Sequence, residues 1–295
     1  MNSTPLVSVI IPTRNRVDAL TRCLTSLGAL SYPENRLEII VVNDGGNTLP
    51  DAVRGTMGRA IPLVLLDAPH AGPAAARNAG VQRAQGEVLA FIDDDCVADA
   101  EWLNAFVARL TTRPDAAVGG RVVNALTDNR YARASQLLVS QLYRYYHEQE
   151  QGRLPFFATN SLAMRADTFA MVGPFDAEFP FASEDRDWCD RCLHAGRPLV
   201  YAPEAIVHHE HALTMASFFQ QHFRYGEGAR RFHLARSRRR GGGVRLEAPA
   251  FYSGMVRAPF ESGDPEALRV SLLIIASQIV GAAGWALSTV RGQSS

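Results

Sequence analysis

The chain has 295 residues, 47% of them apolar and 20% charged, and its 30 basic and 30 acidic side chains cancel. That balance excludes a disordered or fibrous protein and leaves no overall charge to draw it to nucleic acid. Every Lys/Arg position is arginine, which excludes Schiff-base chemistry and a P-loop, whose lysine must reach the phosphates.

In chain order, Val7–Ile11 is a short apolar run ending at Pro12. Leu20, Cys23, Leu24 and Leu27 then recur at helical spacing, with Gly28 as a stop. Apolar runs follow at Leu37–Val42, Ile61–Leu66 and Val88–Ile92, and Pro73 opens a helix that Gly86 closes. Strand alternating with helix predicts an α/β domain on a mostly parallel sheet flanked by helices. Farther on, Ala132–Gln149 predicts a helix, Phe156–Met164 an extended segment, and Glu184–Ala195 a helix with Ser183 as cap and Gly196 as stop. Met215–Leu234 predicts another helix, its Met215, Phe218, Phe219 and Phe223 forming a core stripe. From Arg224 to Arg245 there are nine basic positions counting His233 against one acid, Glu227. This is either a solvated face or one drawn to anionic lipid headgroups. Gly241–Gly243 marks a flexible joint. Four scattered cysteines, Cys23, Cys96, Cys189 and Cys192, fit a reducing compartment, and the apolar start predicts no signal peptide.

Open parallel sheets bind ligands beyond the carboxyl ends of their strands. There the chain carries Pro12, Thr13, Arg14 and Asn15 after the first run, and Asn43, Asp44, Gly45 and Gly46 after the second. Asp93, Asp94 and Asp95 follow the fourth. Three adjacent carboxylates repel unless a cation sits among them, and hard divalent ions such as Mg²⁺ or Mn²⁺ favour such oxygen ligands. On an extended segment Asp93 and Asp95 share a face and Asp94 opposes them. The alternative is an acidic loop capping a helix that starts near Glu101. Asp44 could accept from a base or a ribose, or close a simple Asx-turn. Arg77 could reach a phosphate or a base, or be a surface arginine.

Glu184-Asp185-Arg186-Asp187-Trp188 opens a helix, where the dipole holds carboxylates ionised as a general base requires. Asp187 has Arg191 four residues on, a plausible surface pair, so Asp185 is the better candidate to face a site. Two acids merely serving the dipole are the alternative. His208, His209 and His211 are either metal ligands or a solvated strand exit.

The ordered segments VSVIIPTRNR, LEIIVVNDGG, GPAAARNAGVQRAQGEVLAFIDDDC, FFATNSLAMR, FASEDRDWCDR, APEAIVHHEH and FRYGEG resemble the family 2 glycosyltransferases over about residues 6–230. The resemblance implies a GT-A fold with a Rossmann-like sheet. It implies that Pro12, Thr13 and Asp44, with Arg77 and neighbouring Arg14, hold the nucleotide. Asp93 and Asp95 would bind ribose and a divalent cation, Asp94 one or the other, and Asn160 would lie near the donor sugar or acceptor. Asp185 would be the base of a single inverting displacement, and His209 fits the family's later histidine, a metal ligand in some members. The expected partners are a nucleotide-sugar donor and a carbohydrate or lipid-linked acceptor.

On this reading residues 1–235 form the transferase domain, with a donor half over 1–125 and an acceptor half over 126–235. Residues 236–295 form an Arg/Gly-rich linker and an apolar helical tail. A helix over Val270–Val290 would span about 31 Å, close to the roughly 30 Å of a bilayer's hydrocarbon. It either enters or lies on a membrane, at the cytoplasmic face, or packs in a core or dimer. A sugar-phosphate nucleotidyltransferase would want a Gly-rich loop after the first strand, where Pro12-Thr13-Arg14-Asn15 stands. A non-catalytic sugar-nucleotide binder has no need of Asp185.

Overall fold

The computed structural model describes residues 4–58, 60–148, 156–179, 181–241, 243 and 247–291. The chain divides into two compact units: Met1–Val123 with Phe156–Pro180 and Glu184–Glu210, and Asn124–Pro155 with Phe181–Ser183 and His211–Ser295.

The first unit carries the sheet. Its elements are β1 (Val7–Thr13), α1 (Val17–Gly28), β2 (Leu37–Asp44), β3 (Leu63–Ala68), α2 (Pro73–Arg83), β4 (Val88–Phe91), β5 (Cys96–Ala98), α3 (Trp102–Thr112) and β6 (Ala117–Asn124). In the same unit lie β7 (Leu162–Arg165), α5 (Ala166–Val172), α6 (Glu184–His194) and β8 (Leu199–His209). Among the described residues eight strands form one sheet in the order β3-β2-β1-β4-β7-β6-β8-β5. The first four pair in parallel, with Val7 opposite both Leu37 and Val88. β7 then pairs antiparallel with β4 and β6, and β5 antiparallel with β8.

Covered on both faces, β1 and β2 are buried along almost their whole length, which is why they read as unbroken apolar runs. α1 buries Leu20, Cys23, Leu24 and Leu27 on one face. Gly28 is its last residue, and a side chain there would strike the Met57 carbonyl, 2.3 Å from the added carbon. β3 starts two residues later than its apolar run: Pro62 has no N–H for the ladder, and only its carbonyl contributes, accepting from Ile39 N at 2.9 Å. α2 ends at Arg83, before the expected Gly86, which instead lets the chain pass Ser8, whose backbone N would lie 2.5 Å from an added Cβ. The expected extended stretch 156–164 contains a 3-10 turn, Thr159–Ser161, ahead of β7.

The second unit is helical: α4 (Arg130–Glu148), α7 (Met215–Arg240), α8 (Pro249–Glu261) and α9 (Ala267–Arg291). Asn129 caps α4, its Oδ1 accepting from the backbone N–H groups of Tyr131 and Ala132; the predicted last residue, Gln149, lies outside the described residues. In α7, Phe218 is fully buried whereas Met215 is 59% exposed, so the expected stripe is core only in part. α7 continues past Leu234 because arginines are good helix formers and suit the dipole's negative end. It stops at Arg240 before Gly241, whose φ is +68°; Gly242 and Arg245 lie outside the described residues. α8 was not anticipated. Residues 211–235 group with α4, α8 and α9 around Leu138, Phe218, Phe251, Met255, Val270 and Ile274. The helical unit thus runs across position 235/236.

Candidate active site

The three aspartates leave β4 in a turn, and each meets a different partner. Asp94 points inward, 1% exposed, and accepts from Thr13 Oγ1 at the end of β1 at 2.7 Å. Burial pushes its carboxyl up to about 6, against the pull of Arg16 at 3.3 Å. Asp95 accepts from Arg16 Nη1 at 2.6 Å, and its other oxygen lies 3.3 Å from His209 Nε2. Asp93 accepts from Arg77 Nη2 at 2.6 Å. The predicted alternation holds for inward-facing Asp94, but Asp93 and Asp95 are drawn to separate cations.

His209 closes β8 opposite Cys96 in β5. Burial works against its charge, yet Asp95 beside it raises its pKa overall. One donor atom each from Asp95, Cys96 and His209 lies within 4.8 Å of the others. Burial pushes the Cys96 thiol well up, and for a hard divalent ion a carboxylate oxygen and an imidazole nitrogen are the better-suited donors, a thiol being a soft ligand. That pair fits Mg²⁺ or Mn²⁺, with phosphate oxygens completing the shell. His208 instead faces Asp99, Nε2 to Oδ1 at 2.8 Å, and His211 falls in the helical unit.

Asp44, the last residue of β2, is buried and accepts from the backbone N–H of Ala71 at 2.8 Å and from His70 Nδ1 at 2.8 Å. These contacts tie it to the 70–72 loop that leads into α2. Arg14 is exposed and donates to His70 Nε2 at 3.2 Å. Pro12 lies one residue before the buried Thr13.

Arg77 is 3% exposed, so it is no surface arginine. Its Nη1 donates to Glu184 Oε1 at 2.9 Å while Nη2 holds Asp93. One guanidinium thus joins the end of β4 to the first turn of α6. Small residues let α2 pack closely on the sheet: Ala74 and Ala76 are buried, and an added Cβ on Gly80 would sit 2.5 Å from Ile10 Cγ2. Arg77 Nε, Glu184 Oε2 and Asn160 Oδ1 are buried without a hydrogen-bond partner among the described residues. Orphaned polar atoms of that kind are costly unless a ligand meets them.

Asp185 follows Glu184, half-buried, with Oδ1 accepting from Arg186 N at 2.7 Å. Burial first, and the neighbouring Glu184 charge second, raise its pKa to about 7, more than that amide and Arg77 lower it. Desolvation and the Glu184 charge thus work against the helix dipole, which favours the ionised form. Asp187 does pair with Arg191, at 2.9 Å, but at 1% exposure, so the pair is internal. Sequence reasoning missed Arg16, His70 and Glu184. Arg16 lies in the PTRNR segment and Glu184 beside the proposed base, but neither reveals its partner without the fold.

The model of the family described as Glycosyl transferase family 2 matches residues 8–172. Glycosyltransferase AglE of Haloferax volcanii is 28% identical over 233 residues, 77% of this chain and 74% of that protein. The pre-mycofactocin glycosyltransferase of Mycobacterium tuberculosis is 30% identical over 227 residues, covering 76% of this chain but 46% of its own length. Among solved structures, the mannosyltransferase PcManGT of Pyrobaculum calidifontis, in complex with GDP-Man and Mn²⁺, superposes with a TM-score of 0.63 at 19% identity, over 99% of this chain and 81% of that one. The chain therefore belongs to glycosyl transferase family 2 and is a glycosyltransferase of the GT-A fold.

Proposed function

We propose that the protein transfers a sugar from a nucleoside-diphosphate donor to an acceptor hydroxyl with inversion, and that a divalent cation assists. The observation that carries this reading is the Arg77 bridge, which links Asp93 at a strand end to Glu184 beside Asp185. Asp185 takes the acceptor's proton, and the acceptor oxygen forms a bond to the anomeric carbon. The bond from that carbon to the diphosphate breaks, its electron pair leaving on the phosphate oxygen. Asp95 and His209, with Asp93 nearby, would hold the cation, which when bound offsets charge on the departing diphosphate. Thr13, Asp44 and Arg77 order the nucleotide side, with Pro12, Arg14 and Asp94 alongside, and the orphaned Asn160 Oδ1 supports a sugar or acceptor contact. We read the acceptor as carbohydrate or lipid-linked and the enzyme as cytoplasmic, working at a membrane face. The apolar window Ala267–Ser288 supports that location.

Sugar-nucleotide binding measured calorimetrically with and without Mn²⁺ tests the reading. Asp95→Ala is expected to weaken binding at least about tenfold when Mn²⁺ is present, the loss of one charge-assisted contact, and to change little without it. An unaltered metal dependence removes Asp95 from the cation site. Arg16, which now sits on Asp94 and Asp95, has to yield to any cation there. Arg16→Gln should therefore tighten Mn²⁺ binding in the absence of donor by roughly two- to fivefold, the strength of an exposed ion pair. Electron paramagnetic resonance titration reads this directly, and weaker Mn²⁺ binding would contradict the exchange.

A further inference from the structure

α9 is long and apolar enough to cross a bilayer, with mean hydropathy 1.9 over Ala267–Ser288. Its packing argues for another arrangement. One face is locked to α7 almost backbone to backbone: a Cβ on Gly226 would lie 1.9 Å from the Gly281 carbonyl oxygen, and one on Gly284 would lie 2.1 Å from that of Phe223. Ser271 Oγ donates to the Val256 carbonyl of α8 at 2.8 Å, and Val270 and Ile274 are buried in the helical core. Inserting α9 across a bilayer would drag in α7, whose second half carries Arg230, Arg231, Arg236, Arg238, Arg239 and Arg240. Buried arginines are among the costliest groups in hydrocarbon.

Among the described residues the opposite face of α9 is exposed. Leu268 is 65% exposed, Leu272 57%, Ile275 39% and Ile279 66%, and their spacing places them in one stripe, with Leu287 exposed to one side of it. No carboxylate occurs between Ala267 and Arg291. At the start of the stripe a cleft of about 260 Å³ is lined by Arg130, Tyr131, Arg269, Leu272 and Leu273. Arg130, Arg133 and Arg269 share Glu266, and Arg133 also takes Asp264, so three guanidiniums face two carboxylates. An apolar stripe starting beside a net positive cleft matches the acyl boundary and the anionic headgroups of a bilayer surface.

We propose that the exposed stripe of α9 and its arginine cleft dock on an anionic lipid bilayer, with α9 lying in the interfacial plane instead of crossing it. This deepens, and for its purpose rests on, the reading of an enzyme working at a membrane face. The full chain should co-sediment with phosphatidylglycerol vesicles. Binding to pure phosphatidylcholine, or in about 0.5 M salt, should fall roughly tenfold or more. Leu272→Glu/Ile279→Glu should abolish binding while donor turnover with a water-soluble acceptor persists, and an alkaline wash should release the wild type. Equal binding to neutral and anionic vesicles, or resistance to the wash, overturns the proposal. A wild-type dimer that the double variant converts to a monomer, with no vesicle binding, also overturns it and assigns the stripe to a second copy of the chain. Vesicle binding without any glycosyl transfer would sink the functional reading alone, whereas transfer without vesicle binding would sink the docking surface alone.

Discussion

Asp185→Asn is expected to lower the transfer rate by roughly 10²–10⁴-fold, the usual worth of a general base, while sugar-nucleotide affinity stays nearly unchanged. Asparagine keeps the size of the side chain and can still accept from Arg186 N; what it loses is a basic oxygen. Burial and Glu184 raise the Asp185 carboxyl to about 7, so its basic form gains population as pH rises toward neutrality. The wild-type rate should rise with pH through that value, and the variant's residual rate should not. The same shift fixes the sign for stability. A carboxyl raised from an ordinary value of roughly 4 holds more protons folded than unfolded between those limits. Its contribution is full at low pH and is lost as pH rises through the folded value. Asp94, raised to about 6, acts in the same direction. Asp185→Asn should therefore melt higher than the wild type above neutral pH. Lower melting there, or equal losses of rate and donor binding, would make Asp185 structural and not catalytic.

Arg77→Met is expected to cost about 3–5 kcal/mol in urea unfolding, the range for breaking a buried pair from one side. The Glu184 side chain is 7% exposed and would keep a charge with no partner; Asp93, at 30%, can turn to water. Adding Glu184→Gln should recover part of the loss, since the two residues act as one unit. Arg77→Lys should fall between, because an ammonium cannot reproduce the planar fork that reaches both carboxylates. A cost below about 1 kcal/mol would mean that the bridge is not what joins α6 to the sheet. Arg77 also lowers the Asp185 pKa, so any folded Arg77→Met enzyme should show its pH–rate rise displaced upward.

The central strands and the polar edge were legible in the sequence for a simple reason. β1, β2 and β4 are buried on both faces, so each holds an apolar run whose end is marked by a polar residue, Thr13, Asn43 and Asp93. α2 announced itself through Pro73 at its first position. What stayed hidden depends on partners distant in sequence. Asp187 looked like a surface residue because its helix gives no sign that Trp188, Cys189 and Asp190 beside it are also buried. The sequence likewise gives no sign that Arg16, 79 positions before Asp95, would lie on it. α8 carries an internal proline, Pro259, which masks its helical period. The exposure of one face of α9 follows from its packing on α7, which the uniform apolar run of the tail cannot express.

Crystals grown with Mn²⁺ and either GDP or UDP, measured at the manganese absorption edge, test the convergence most directly. The account predicts one anomalous peak on Asp95, with the diphosphate beside it and Asp185 lining the same cleft. A nucleotide seated elsewhere, or a metal peak in a cleft that excludes Asp185, would contradict it.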